Sequence, residues 1–305
     1  MKVFHGIGQA GRLEGLSLCL GNFDGVHRGH QALFREAQAL APAAVLTFEP
    51  HPGKVLQPAL APKLITPLHR KLELFEAYGL SAVVVQPFSQ VYAQTTPEGF
   101  EHALLEDLKV KHLVVGVDFT YGQLRQGTVE TLARSCAARG ALLHVVSPVT
   151  VEGVVASSSK VREYILEGRV SAAQTLMGRP FDLDGVVVPG LGRGRGIGFP
   201  TANVETQNEL RPGAGVYAVR VRLEGETPWR GGAANIGVKP TFGDSELTLE
   251  VHLFDFAGDL YRKKLRVQFL ERLRPEQRFN SVGELVGQIH RDVESARAVV
   301  AQAGE

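Results

Sequence analysis

Short apolar runs alternate with amphipathic stretches from residue 16 to residue 146. A parallel sheet with crossover helices is written in this way. Five runs predict strands, at 16–20, 43–48, 82–86, 112–117 and 141–146. All are nearly continuous in apolar character, as strands covered on both faces should be. Between them, Thr66-Pro67 and Thr96-Pro97 each join a capping hydroxyl to a proline at the first helical position. Gly79 and Gly140 mark helix stops. After the fifth run, Ser157-Ser158-Ser159-Lys160-Val161-Arg162 predicts a serine-capped helix to about Gly168, followed by a short helix over 171–177. Beyond Gly178 the period changes to two: residues 215–223 and 247–254 alternate faces like antiparallel strands. A capping box of Ser281 and Glu284 then opens a last helix, with Val282, Leu285, Val286, Ile289 and Val293 on one face. The pattern therefore predicts two domains. Residues 1–177 form an α/β domain with a parallel, Rossmann-like sheet, and 178–305 form an antiparallel β-barrel with a terminal helix.

The length of 305 residues supports that division, since one core rarely serves so long a chain. Hydrophobic residues at 44% and charged residues at 21% argue against extensive disorder. A formal charge of +1 predicts no polyanionic partner and no nucleic acid. The arginines at 193, 195, 211, 220 and 222 serve a bound phosphate as well as they would serve RNA. Cys19 and Cys136 lack metal-site spacing and read as free core thiols. The start Met1-Lys2-Val3-Phe4-His5-Gly6 is not an apolar leader, and no run is long enough to span a bilayer. The expectation is a cytoplasmic protein with no membrane partner.

Chemistry concentrates first in Gly21-Asn22-Phe23-Asp24-Gly25-Val26-His27-Arg28-Gly29-His30, which follows a strand and opens a helix. His27 and His30 are three apart, so both rings face one side, while Gly25 and Gly29 let a ligand approach the backbone. Backbone amides of this loop, around Gly21, Phe23 and Asp24, are candidates for ATP. Fixed donors here match the charge that grows on a pyrophosphate leaving group. Ser157, Ser158, Ser159 and Arg162 would complete the cradle, with plain helix capping as the alternative for the serines. Asp24 serves either a metal or the turn geometry. A zinc site lacks both the His-Glu-x-x-His form and a third ligand. Ser157-x-x-Lys160 matches a penicillin-binding pattern whose partner motifs are absent.

A second loop, 190–203, fits neither a dinucleotide fingerprint nor a Walker sequence. Its Gly192, Arg193, Gly194, Gly198 and Pro200 are candidates for ATP, the alternative being a turn with solvated arginines. Thr201 and Asn203 supply neutral oxygen donors suited to Mg²⁺. Phosphorylating an alcohol also requires a carboxylate to take its proton, and Glu250 fits, with Leu249 and Val251 turned to the opposite side. An outward surface carboxylate is the bland alternative. His290-Arg291-Asp292 echoes a protein-kinase loop, but Arg297 stands where its Asn belongs.

Over essentially its whole length the sequence resembles the bacterial bifunctional riboflavin kinase/FMN adenylyltransferases. The likeness is carried by residues 21–30, Thr47-Phe48-Glu49-Pro50-His51-Pro52, Gly116-Val117-Asp118-Phe119-Thr120-Tyr121-Gly122 and 157–162 in the first half. In the second half it is carried by Pro200-Thr201-Ala202-Asn203, residues 235–243, residues 250–256 and Gly258-Asp259-Leu260-Tyr261. The resemblance implies a nucleotidyltransferase-like first domain that moves AMP from ATP to FMN, giving FAD, and a barrel that phosphorylates riboflavin with ATP and Mg²⁺. It implies His27 and His30 on the ATP phosphates, Ser158, Ser159 and Arg162 beside them, and His51, Asp118 and Phe119 at the flavin. In the barrel it implies Thr201 and Asn203 on the metal and Glu250 as base. Ser159 stands where Thr is frequent, Thr120 where a basic residue is, and Arg262 where glycine is. The competing functions are a nucleotidyltransferase for another phosphorylated metabolite, with the barrel a binding module, and a non-enzymatic flavin-binding protein.

Overall fold

The computed structural model describes residues 1–190, 196, 198–240 and 245–303. They divide into two compact units, Met1–Ser158 and Ser159–Glu305.

The first unit is built on six parallel strands: β1 (Lys2–His5), β2 (Ser17–Leu20), β3 (Ala43–Glu49), β4 (Ala82–Pro87), β5 (His112–Gly116) and β6 (Leu142–Val146). Their order is β1-β4-β3-β2-β5-β6. The five predicted strands are present with ends shifted by a residue, and β1 is additional. It pairs with β4 from Lys2↔Ala82 to His5↔Val85. Four residues with an exposed Val3 are too short a stretch to register a period. Successive side chains go to opposite faces. Leu18, Leu20 and Leu46 enter one core with Leu104 and Leu113. Cys19, Val45 and Val83 enter the other, against Phe34 and Phe75. Edge strand β6 departs from the expectation of two covered faces, because Leu142 and Val145 are exposed.

The helices of this unit are α1 (Ile7–Ala10), α2 (Arg28–Leu40), α3 (Pro52–Leu56), α4 (Leu68–Ala77), α5 (Pro97–His102) and α6 (Val129–Ala138). Thr96 caps α5 as predicted, its hydroxyl oxygen accepting from the Gly99 amide at 3.2 Å. Thr66 does not cap α4. Its amide is given to the Asp24 carboxylate at 3.1 Å, and Pro67 stands at the cap position with no side-chain cap. The helix α7 (Ser158–Leu166) begins on the last residue of this unit, and a small hairpin, β7 (Thr150–Val151) and β8 (Val154–Val155), precedes it.

The second unit contains the rest of α7, α8 (Val170–Met177) and a closed six-stranded barrel. Its strands are β9 (Phe181–Val188), β10 (Ala202–Glu205), β11 (Gly215–Leu223), β12 (Arg230–Pro240), β13 (Ser245–Leu253) and β14 (Lys264–Arg274). They close in the order β10-β13-β12-β11-β14-β9. Leu249, Val251, Tyr217 and Phe269 are among the buried residues that fill it. The last helix, α9 (Val282–Gln302), opens as the Ser281 hydroxyl oxygen accepts from the Glu284 amide at 3.1 Å. The reciprocal half of the expected box is displaced: the Glu284 carboxylate takes the Asn280 amide at 2.9 Å. Of the expected apolar stripe, Leu285, Val286, Ile289 and Val293 are half-buried as predicted, whereas Val282 is 65% exposed; Asp292 and Ala296 are the fully buried residues of the helix. Asp292 turns inward to meet the Arg274 guanidinium, Nη2 to Oδ2 at 2.8 Å. That pairing accounts for His290-Arg291-Asp292 without any kinase loop. Among the described residues, no helix is long and apolar enough to cross a membrane.

Candidate nucleotide sites of the two units

In the first unit, the strand order reverses at β2, which has β3 on one side and β5 on the other. Ligands of open α/β sheets bind beyond the strand ends at such a reversal. Residues 21–30 occupy that place, between β2 and α2. His27 is the N-cap of α2, and its ring stacks on that of His30 with centroids 3.6 Å apart and 25° between planes. The spacing of three residues does bring both imidazoles together. Phe23, buried beneath, meets the His30 ring edge-on at 5.2 Å.

The loop is held by a few demanding contacts. A Cβ on Gly29 would lie 3.0 Å from the His27 ring and 3.1 Å from the Ala156 carbonyl oxygen. Gly25 has φ 86° and Ile65 against it, and Phe23 and Val26 also take positive φ, 52° and 43°. Positive φ at bulky residues is costly and collects at functional loops. A Cβ on Gly21 would press on the Phe23 ring at 3.1 Å. Asp24 is buried, and its Oδ1 accepts from the Ile65 amide at 3.0 Å and the Thr66 amide at 3.1 Å. Those bonds give it a structural task in the turn. The Ser158 hydroxyl donates to the Asp24 carbonyl at 2.8 Å, which ties the start of α7 to the loop, and half-buried Ser157 precedes it. Ser159, exposed, and Arg162, half-buried, follow on α7 in the second unit.

The flavin candidates of this unit stand just beyond β3 and β5. His51 is the N-cap of α3, and its Nδ1 accepts from the Gly53 amide at 3.1 Å. In the neutral ring the proton is therefore on Nε2. Asp118 is exposed in the turn after β5, and Phe119 stacks against Tyr121 at 5.7 Å. Thr120 accepts from Arg125 Nε at 2.9 Å, so a cation does reach this turn from five residues on. Sequence reasoning missed Lys71, which is buried on α4 and donates to the Asn22 carbonyl at 3.0 Å. Its signal was available: Leu74 and Phe75, three and four residues on, belong to the buried face.

In the second unit, β13 lies between β10 and β12, and Glu250 is in register with Asn203 on one side and Asn235 on the other. Leu249 and Val251 are buried inside the barrel, so Glu250 is turned to its outer face, as the alternation predicts. Asn203 behaves alike between buried Ala202 and Val204. Thr201 Oγ1 is 3.5 Å from Glu250 Oε2. Carboxylate, amide oxygen and hydroxyl thus meet on one side of the strands. These hard neutral and anionic oxygens fit Mg²⁺ and not a thiophilic metal. Gly190 makes the arrangement possible, because a Cβ there would sit 1.9 Å from Asn203 Nδ2. The His252 ring reaches the Pro200 carbonyl at 2.9 Å through Nδ1, which must carry the proton because a carbonyl only accepts. Phe199 meets the His290 ring edge-on at 4.8 Å. Gly198 is exposed with φ 86°. Gly192, Arg193 and Gly194 lie outside the described residues. Arg262 takes φ 64°, which explains why glycine suits that position.

A FAD synthetase family profile matches residues 10–160, and a riboflavin kinase profile matches residues 177–300. The bifunctional riboflavin kinase/FMN adenylyltransferase of Escherichia coli K12 is 40% identical over 303 residues, covering 97% of this chain and 96% of its own. That of Bacillus subtilis is 38% identical over 289 residues, covering 92% and 90%. A solved structure from Streptococcus pneumoniae, titled a macrolide-efflux protein, superposes with TM-score 0.87 at 32% identity over 97% of this chain and 98% of that one. Two profiles in this order, with identities of this size over nearly full length, place the chain in the family of bifunctional riboflavin kinase/FMN adenylyltransferases.

Proposed function

We propose that the family's two reactions divide between the two sites, with a functional boundary at 177/178. At the barrel site the riboflavin hydroxyl attacks the γ-phosphorus of ATP, Glu250 takes the hydroxyl proton, and ADP leaves. Thr201 and Asn203 hold Mg²⁺, which when bound neutralises phosphate charge. At the first site an FMN phosphate oxygen attacks the α-phosphorus of ATP and pyrophosphate leaves. His27, His30 and the amides of residues 21–30 stabilise the charge arriving on that leaving group. His51, Asp118 and Phe119 take the flavin. FMN formation comes first, because only FMN carries the phosphate nucleophile of the second step.

The observation that supports this division is that Glu250, Thr201 and Asn203 fall within the riboflavin kinase match, and the stacked histidines within the FAD synthetase match. The test supplies riboflavin, ATP and Mg²⁺ and separates the flavins by chromatography. Wild type should yield FMN and FAD. Glu250→Gln should lower FMN formation about 10²- to 10⁴-fold, yet still make FAD from supplied FMN. FMN formation at the wild-type rate in that variant would remove Glu250 from the reaction.

A further inference from the structure

Lys71 sits in α4 with 3% of its surface exposed. Its ammonium donates to the Asn22 carbonyl at 3.0 Å, and the Thr47 hydroxyl donates to the same oxygen at 3.1 Å. Asp24 and Glu49 supply the nearby negative charge that opposes the loss of hydration. Burial alone disfavours the charged form, and a methionine would fill similar space without that cost. A purely structural demand is therefore a poor account of a lysine here.

The consequence of the two bonds lies across the peptide. The Asn22–Phe23 peptide is trans, so its C=O and N–H point in opposite directions. With the carbonyl drawn toward Lys71 and Thr47, the Phe23 N–H is turned away from the core. That amide donates to no acceptor among the described residues. Phe23 itself is held at φ 52° with its ring buried against His30. An amide so aimed, one turn before the stacked imidazoles, is a preorganised anion donor.

We propose that Lys71, with Thr47, is a positioning residue of adenylyl transfer: by fixing the Asn22 carbonyl it aims the Phe23 amide at an ATP phosphate oxygen that gains charge as pyrophosphate leaves. This rests on the FMN adenylyltransferase reading of the first site. The probe is the full chain with FMN, ATP and Mg²⁺, followed by pyrophosphate release. Lys71→Met should lower kcat about tenfold to a hundredfold, with KM for ATP within about threefold, because the donor acts on charge present in the transition state. Its Tm should be unchanged or higher, and FMN formation from riboflavin should run at the wild-type rate. Thr47→Val should lower the same kcat, and it decides the matter if Lys71→Met does not fold. A kcat within about twofold of wild type, or a loss that tracks a fall in Tm in both variants, would overturn the proposal. Failure of the wild-type chain to form FAD would instead overturn the reading beneath it.

Discussion

Two glycines govern the geometry of the catalytic candidates, and each by exclusion of a single carbon. At Gly29 a methyl group would meet the His27 ring at 3.0 Å, and at Gly190 it would meet Asn203 Nδ2 at 1.9 Å. Displacing a catalytic group by about 1 Å costs on the order of a hundredfold in rate. Gly29→Ala should therefore depress FAD formation from FMN while FMN formation continues, and Gly190→Ala should do the reverse; steady-state assays of each half-reaction check both. The cysteines make a second residue-scale expectation. Burial raises the Cys19 thiol far above the ordinary range and pushes Cys136 up to about 11. Both thiols stay protonated at pH 8, and the thiolate is the reactive form. A chromogenic disulfide reagent should thus find no reactive thiol in the native chain and two after denaturation, matching the two cysteines present.

At the scale of elements, α9 is fastened to β14 by the Asp292–Arg274 pair, whose side chains are 8% and 17% exposed. Removing one partner of a buried pair strands the other, at a cost of about 3–5 kcal/mol. Asp292→Ala should lower the barrel's unfolding free energy by roughly that amount in urea titration. Thr96→Ala, which deletes a cap on α5, should cost only about 1 kcal/mol. These elements also explain what the sequence could and could not disclose. Strands β2 to β6 were legible because continuous apolar runs have few other readings. The cap at Thr96 was legible because its bond is local, to Gly99. Thr66 carries the same dipeptide, but a residue far away in the chain, Asp24, claims its amide. On α9 and α4 the buried charged positions were overlooked for one reason. Each helix includes a charged side chain, Asp292 or Lys71, whose partner lies elsewhere in the chain, and a count of apolar positions discards such residues.

For the whole molecule, each unit encloses its own apolar core, with Leu104 and Phe75 in the first and Tyr217 and Phe269 in the second. A fragment spanning 159–305 should accordingly fold and phosphorylate riboflavin; a fragment that is soluble and folded by circular dichroism yet inert would count against that independence. The candidate sites were readable to different depths. His27 and His30 are neighbours on one helical turn, so spacing sufficed. Glu250, Asn203 and Thr201 come together only through the pairing of β10 with β13, which no local pattern encodes, and family likeness had to supply it. The position of Glu250 on the outside of a filled barrel separates turnover from breathing of the core. With Glu250 in its proposed role as base, reactants would reach the carboxylate without any strand parting from its neighbour, so amide protons along β13 should exchange with deuterated solvent as slowly in the working enzyme as in the resting one.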